Sequence, residues 1–365
     1  MKSRTIFTFQ AKNGMCISKD VFNSAGQLLV AKETIITAKV KEMLNFYSIM
    51  KVTVYDKVVE ETAVEEETPV VNTDSYSQKI KSSERFQEFK KSFNTNVKQF
   101  QSDITTFVNK TGDVDLVNLK DEPYTILSKS DTTLNVFDML HNIEEYSDST
   151  YSHSLNVALI SNVIGRWIGY SDKDLEQLTL AALLHDIGKL MIPEELLAKP
   201  DKLTDEEFQM IRLHPITGYD LIKDEDIDPR IKDAVLKHHE KCDGTGYPSK
   251  LTGDTIGEFA KIIAIADIYD AMTSKRSYRE ALCPFEVIRI FEDEGYQKYD
   301  IKILLTFLER IGQAYINNAV KLSDGREGEI VMLNKNALSR PIVRLKDSTV
   351  VDLSKTSNLT IAKIL

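Results

Sequence analysis

The chain holds six histidines, and five of them fall between residues 153 and 239, each beside a helical pattern or a turn. His185 is followed at once by Asp186 and, one helical turn on, by Lys189. His214 precedes Pro215, with Gly218 four residues after the histidine, and His238 and His239 open the stretch "HHEKCDGTGYP". Asp267 sits inside an otherwise apolar run, "KIIAIADIYDAM". Imidazole and carboxylate make up a ligand set for first-row divalent metals, and no cysteine stands in a ligand-like pair. Adjacent His185 and Asp186 on a helix would point roughly 100° apart, so one can face one metal while the other reaches toward a second. A carboxylate can bridge through its two oxygens; an imidazole cannot. Two bridged metals clamp an in-line attack on phosphorus and turn water into hydroxide near neutral pH.

Taken singly, these residues say less. His153 on a helix reads as a buried, hydrogen-bonded histidine. Asp267, flanked by Ala266 and Ile268, needs a partner, because an unpaired buried charge is very costly. A lysine, a helix terminus or a metal would serve. Their gathering in one stretch is what points to a metal centre.

The elements that must position them are helical. Residues 112 to 320 repeat an amphipathic pattern in "HSLNVALISNVIGRWIG", "DLEQLTLAALLHDIG", "TDEEFQMIRLH", "DPRIKDAVLKHH" and "GEFAKIIAIADIYDAM". Thr204 with Glu207 has capping-box spacing, Asp228-Pro229 marks another start, and Gly188 reads as a helix stop. Ahead of these, Phe86, Phe89, Phe93, Val97, Phe100, Ile104 and Phe107 form one stripe along a long helix over 78–108. That stripe packs either on its own chain or on a second copy, as a homodimer.

Residues 4 to 55 contain short β-rich runs, "TIFTF", "QLLVA" and "MKVTVY", with a helical stretch over 37–47, which predicts a small α+β module. The run "VVEETAVEEETPVVNTDS" reads as a solvated acidic linker. A tail with "GEIVML", "PIVRLK", "STVVDLS" and "LTIAKIL" predicts three or four strands. The expected order is a module over 1–56, a linker over 57–77, a helical connector over 78–145, a helical catalytic bundle over 146–320 and a β-rich extension over 321–365.

The 365 residues carry a net charge of -10, which disfavours nonspecific binding to nucleic acid or anionic membrane. An anionic substrate therefore needs a locally basic patch. Three scattered cysteines, no signal-peptide pattern and no apolar run of membrane-spanning length predict a cytoplasmic protein without membrane insertion.

Together, His153, "HDIGK", "HP" with Gly218, "HHEKCDGTGYP" and Asp267 in "ADIYDAMTSKRSYRE" resemble the HD-GYP family over roughly residues 146 to 320. These are bacterial cyclic di-GMP phosphodiesterases within the HD phosphohydrolase superfamily. The resemblance implies a mainly α-helical HD-type bundle. It implies one metal held by His153, His185, Asp186 and Asp267, with Asp186 bridging to a second held by His214, His238 and His239. Iron is the metal implied, with manganese as the alternative. Lys189 would lie beside the phosphate, where an ammonium offsets developing charge. Gly246, Tyr247 and Pro248 would shape the pocket wall, with Tyr247 stacking on or hydrogen-bonding to the ligand. Arg276 and Arg279 would take a phosphate or a guanine edge, with Lys241 and Lys275 adding positive charge. Ser277 stands where the family usually has proline.

The implied reaction is hydrolysis of cyclic di-GMP to linear pGpG, with a second cut to GMP open. The alternatives are a related enzyme for another cyclic dinucleotide or a guanosine polyphosphate, and an inactive dinucleotide sensor. Some family members hold a third metal through a glutamate four residues before the first histidine. Here that position is Ser149, with Asp148 and Glu145 poorly placed to substitute, so two metals are expected.

Overall fold

The computed structural model describes residues 3–22, 28–38, 40–41, 44, 49, 51–55, 81–127, 133–143, 150–199, 201–275 and 280–365. The chain divides into two units, residues 1–73 and 74–365. In the first, β1 (Ser3–Phe7) pairs antiparallel with β4 (Lys51–Tyr55), and β2 (Val21–Phe22) with β3 (Leu28–Val30). β4 alternates as a half-buried strand should, with Val52 and Val54 inside and Lys51 outside. Ile17, Ile36 and Leu44 complete that core. Most of the helix expected over 37–47, and the acidic linker, lie outside the described residues.

The second unit is built on helices. α1 (Glu84–Val108) starts at Ser83, whose side chain accepts from the Phe86 amide. Its stripe is spent inside the chain: Phe86, Phe89, Phe93, Phe100 and Ile104 are buried, and Val97 and Phe107 pack against the same core. The stripe is therefore packed within its own chain, the first of the two alternatives. α2 (Asp121–Leu127) packs on α1, and α3 (Thr133–Asn142) follows.

Two helices are apolar nearly all round and take the centre, as such helices must. α4 (Thr150–Ile168) is buried at every position from Ser152 to Gly165. α9 (Glu258–Thr273) packs against it and is buried through Phe259, Ile262, Ile265 and Asp267. Between them in sequence lie α5 (Asp172–Leu184), α6 (Asp205–Ile211), α7 (His214–Ile222) and α8 (Pro229–Lys237). α6 carries the full Thr204–Glu207 capping box, and Asp228 caps α8 with Pro229 in its first turn. α5 ends at Leu184, before the stop read at Gly188. Gly188 answers a different need. A Cβ there would overlap the His214 carbonyl and the Gly218 amide, so its absence lets the turn after α5 press onto α7.

α10 (Pro284–Ile290) and α11 (Ile301–Ala314) lead into a five-stranded antiparallel sheet of order β8-β7-β6-β5-β9. Its strands are β5 (Ala319–Leu322), β6 (Glu327–Asn334), β7 (Ala337–Leu345), β8 (Val350–Asp352) and β9 (Ile361–Ile364). Val320, Ile330, Val343 and Ile361 join the core of the helices, so the tail is packed onto the bundle. It has five strands where three or four were expected, because β5 pairs with both β6 and β9. Among the described residues no helix is long and apolar enough to cross a membrane.

Candidate metal centre

Three histidines stand at helix ends and share one device. His185 caps the end of α5, His214 opens α7 and His238 caps the end of α8. The Nδ1 of each lies 2.7, 2.8 and 2.9 Å from a carbonyl oxygen three residues back, of Ala182, Ile211 and Val235 respectively. A carbonyl only accepts, so each Nδ1 carries a proton and Nε2 is the nitrogen left to ligate.

Those Nε2 atoms converge on one carboxylate. His185 Nε2 is 3.3 Å from Asp186 Oδ2, and His214 Nε2 is 3.2 Å from Asp186 Oδ1. His214 and His238 bring their Nε2 atoms to 3.1 Å of each other. Lone pairs aimed at one another and at carboxylate oxygens repel, and divalent cations among them would turn each contact favourable. His185 Nε2 and Asp186 Oδ1 are buried without a hydrogen-bond partner among the described residues. Burial, reinforced by the neighbouring histidines, holds His238 well below the usual imidazole range. Burial likewise lowers His239 to about 3, against the pull of Asp267. Both stay neutral, the form that ligates.

The donor atoms fall into two groups, each within 4.8 Å across: His153, His185 and Asp186, and Asp186, His214, His238 and His239. Asp186 belongs to both. Burial resists its ionisation, but His185 and Lys189 outweigh this and hold its carboxyl well below the usual range. The donor set therefore fits divalent metal ions. Asp267 joins from α9, with Oδ1 3.0 Å from His153 Nε2 and Oδ2 3.7 Å from His239 Nδ1. The Lys189 ammonium sits 2.6 Å from Asp186 Oδ2.

His153 is held differently. Its Nδ1 lies 2.6 Å from Asp270 Oδ2, while Asp270 Oδ1 accepts from Asn156 Nδ2 at 2.9 Å and Ser274 Oγ at 3.0 Å. Burial opposes the charged imidazole, yet hydrogen bonds to Asp267 and Asp270 push His153 up to about 9. Asp270 was not singled out in the sequence. Its signal was there: three residues after Asp267, it shares a face of α9 with that residue.

The turn after His239 is built from the backbone. A Cβ on Gly246 would overlap the His239 carbonyl and the Lys241 amide. Glu240, itself buried, accepts from the amides of Ser249 at 2.6 Å and Leu251 at 2.9 Å and so closes the loop. Tyr247, followed by a cis bond to Pro248, stacks on His239 with ring centroids 4.7 Å apart at 29°. The Arg212 guanidinium carbon lies 4.4 Å from the centroid of the same Tyr247 ring. Tyr247 thus braces the His239 imidazole. Lys275 pairs with Glu280 at 3.0 Å. Arg276, Ser277 and Arg279, like Glu145, Asp148 and Ser149, lie outside the described residues.

The HD domain family matches residues 137–303. Cyclic di-GMP phosphodiesterase PA4108 of Pseudomonas aeruginosa is 35% identical over 198 residues, covering 54% of this chain and 47% of that one. 3'3'-cGAMP-specific phosphodiesterase 3 of Vibrio cholerae is 35% identical over 158 residues, covering 43% of this chain and 34% of that one. A solved structure, Bd1817, a HDG"Y"P protein from Bdellovibrio bacteriovorus, is 18% identical at a TM-score of 0.49, covering 84% of this chain and 98% of that one. The chain spans about half or less of the length of these curated relatives.

Proposed function

We propose that the chain, which matches the HD domain family over residues 137–303, is a metal-dependent cyclic di-GMP phosphodiesterase of the HD-GYP branch. The observation that carries this reading is the convergence of histidine Nε2 atoms on Asp186, a carboxylate shared by both donor groups. One site would use His153, His185, Asp186 and Asp267; the other Asp186, His214, His238 and His239. Iron is the proposed ion, with manganese as the substitute. Such ions would supply Lewis acidity to the phosphoryl oxygens and to water.

The chain's own groups do the rest. Asp186 holds the two donor groups in register. Asp270 fixes the His153 ring, and Tyr247 fixes that of His239. The Lys189 ammonium, at the edge of the cluster, balances negative charge that gathers on the phosphate during attack. Departure of the ribose 3′-oxygen leaves linear pGpG; a second cut gives GMP. Arg276 and Arg279 are proposed to meet the substrate beyond the cluster. The similarity to a cGAMP-specific enzyme favours 3'3'-cGAMP as the second reading.

A panel of cyclic di-GMP, 3'3'-cGAMP and guanosine polyphosphates, resolved by chromatography after incubation with anaerobically loaded protein, tests the choice. Cyclic di-GMP should be consumed fastest, and Asp186→Ala should consume none. Preferential loss of 3'3'-cGAMP would move the assignment to that substrate.

A further inference from the structure

Arg212 ends α6 two residues before His214, half-buried, with its Cζ 4.4 Å from the Tyr247 ring centroid and 5.9 Å from that of Phe208. Among the described residues no carboxylate lies within ion-pairing distance of it. Lys189 is engaged by Asp186 at 2.6 Å and Lys275 by Glu280 at 3.0 Å. A guanidinium laid on an aromatic ring keeps its N–H fork available for a phosphate.

We propose that Arg212 determines specificity by binding the phosphodiester of a cyclic dinucleotide that is not being cleaved. The proposal rests on the function argued above. A cyclic dinucleotide carries two phosphodiesters on opposite sides of one small macrocycle. With one at Asp186, the other must lie a short way along the wall. Arg212 stands on that wall, joined to the His239 ring by two steps of 4.4 and 4.7 Å through Tyr247. A substrate with a single phosphodiester has nothing to offer it. The bidentate fork also explains arginine over lysine at this position.

The test compares Arg212→Ala and Arg212→Lys with the parent chain, all loaded with manganese, on cyclic di-GMP and on bis(p-nitrophenyl) phosphate. Arg212→Ala should raise KM for cyclic di-GMP about ten- to hundredfold more than for the single diester, the size of one charge-assisted hydrogen bond. Its kcat should move less than its KM. Arg212→Lys, keeping charge without the fork, should fall between. Equal losses on both substrates would mean that Arg212 acts only through Tyr247 and His239, overturning the proposal, as would no loss on either. If Arg212→Ala fails to fold by circular dichroism, Arg212→Lys decides: a KM rise confined to cyclic di-GMP supports the proposal, and its absence ends it. A parent chain that cleaves the single diester but not cyclic di-GMP would sink the substrate assignment, and this inference with it. Normal parent turnover with an indifferent Arg212→Ala sinks this inference alone.

Discussion

At the scale of residues, the centre turns on which proton sits on which nitrogen. Backbone carbonyls fix the Nδ1 protons of His185, His214 and His238, whereas a carboxylate, Asp270, fixes that of His153. Replacing Asp270 by asparagine sets an amide against three donors, from His153, Asn156 and Ser274, so the ring loses its anchor. Asp270→Asn should weaken metal binding about 10–100-fold, the usual cost of losing such an outer partner. Competition between metal-free protein and a chelating dye measures this, with circular dichroism to confirm the fold; unchanged affinity would contradict it. The histidines and Asp186 were legible in the sequence because such residue types in that spacing have few other uses. Asp270, Glu240 and Arg212 were not. Each acts on a partner brought close only by folding: His153, 117 residues away in sequence from Asp270; the Ser249 and Leu251 amides; and the Tyr247 ring.

At the scale of elements, the phenylalanine stripe of α1 shows what periodicity can and cannot say. Spacing names the apolar face but not the surface that covers it. Phe93, stacked on Phe89 with centroids 6.4 Å apart, is 2% exposed within its own chain. Phe93→Ala should therefore cost about 3–5 kcal/mol of stability. Light scattering should give the same mass as the parent; a halved mass with unchanged melting would restore the dimer reading. On α2, Glu122 is raised to about 8 by burial first and by Asp103 second, and one of its carboxylate oxygens is buried without a hydrogen-bond partner among the described residues. The unfolded chain releases this proton near the ordinary value of 4.5, the folded chain only near 8. Between those values the native state binds more protons, so this group's effect on stability becomes less favourable as pH rises. Glu122→Gln should melt higher than the parent at about pH 9 and alike at about pH 5. Parallel melting curves at both would contradict it.

At the scale of the whole molecule, the candidate site is assembled from five segments: α4, the end of α5, the start of α7, the end of α8 and α9. The two helices that must carry polar groups through the centre are also the two most deeply buried, so packing energy holds His153 and Asp267 in place. The helical bundle was legible because each helix announces itself locally. The fifth strand of the terminal sheet was not, since Ala319–Leu322 follows a helix closely and finds its partners at both Glu327–Glu329 and Ile361–Ile364. The central proposal is that two metals, held by donor groups that share Asp186, would make one hydrolytic centre. The most direct measurement is cyclic di-GMP turnover as manganese is titrated anaerobically into metal-free protein, with bound metal counted by mass spectrometry at each point. Turnover should stay low up to one equivalent per chain and rise to its plateau as the second binds. Full turnover at one equivalent, or none at two, would contradict the account.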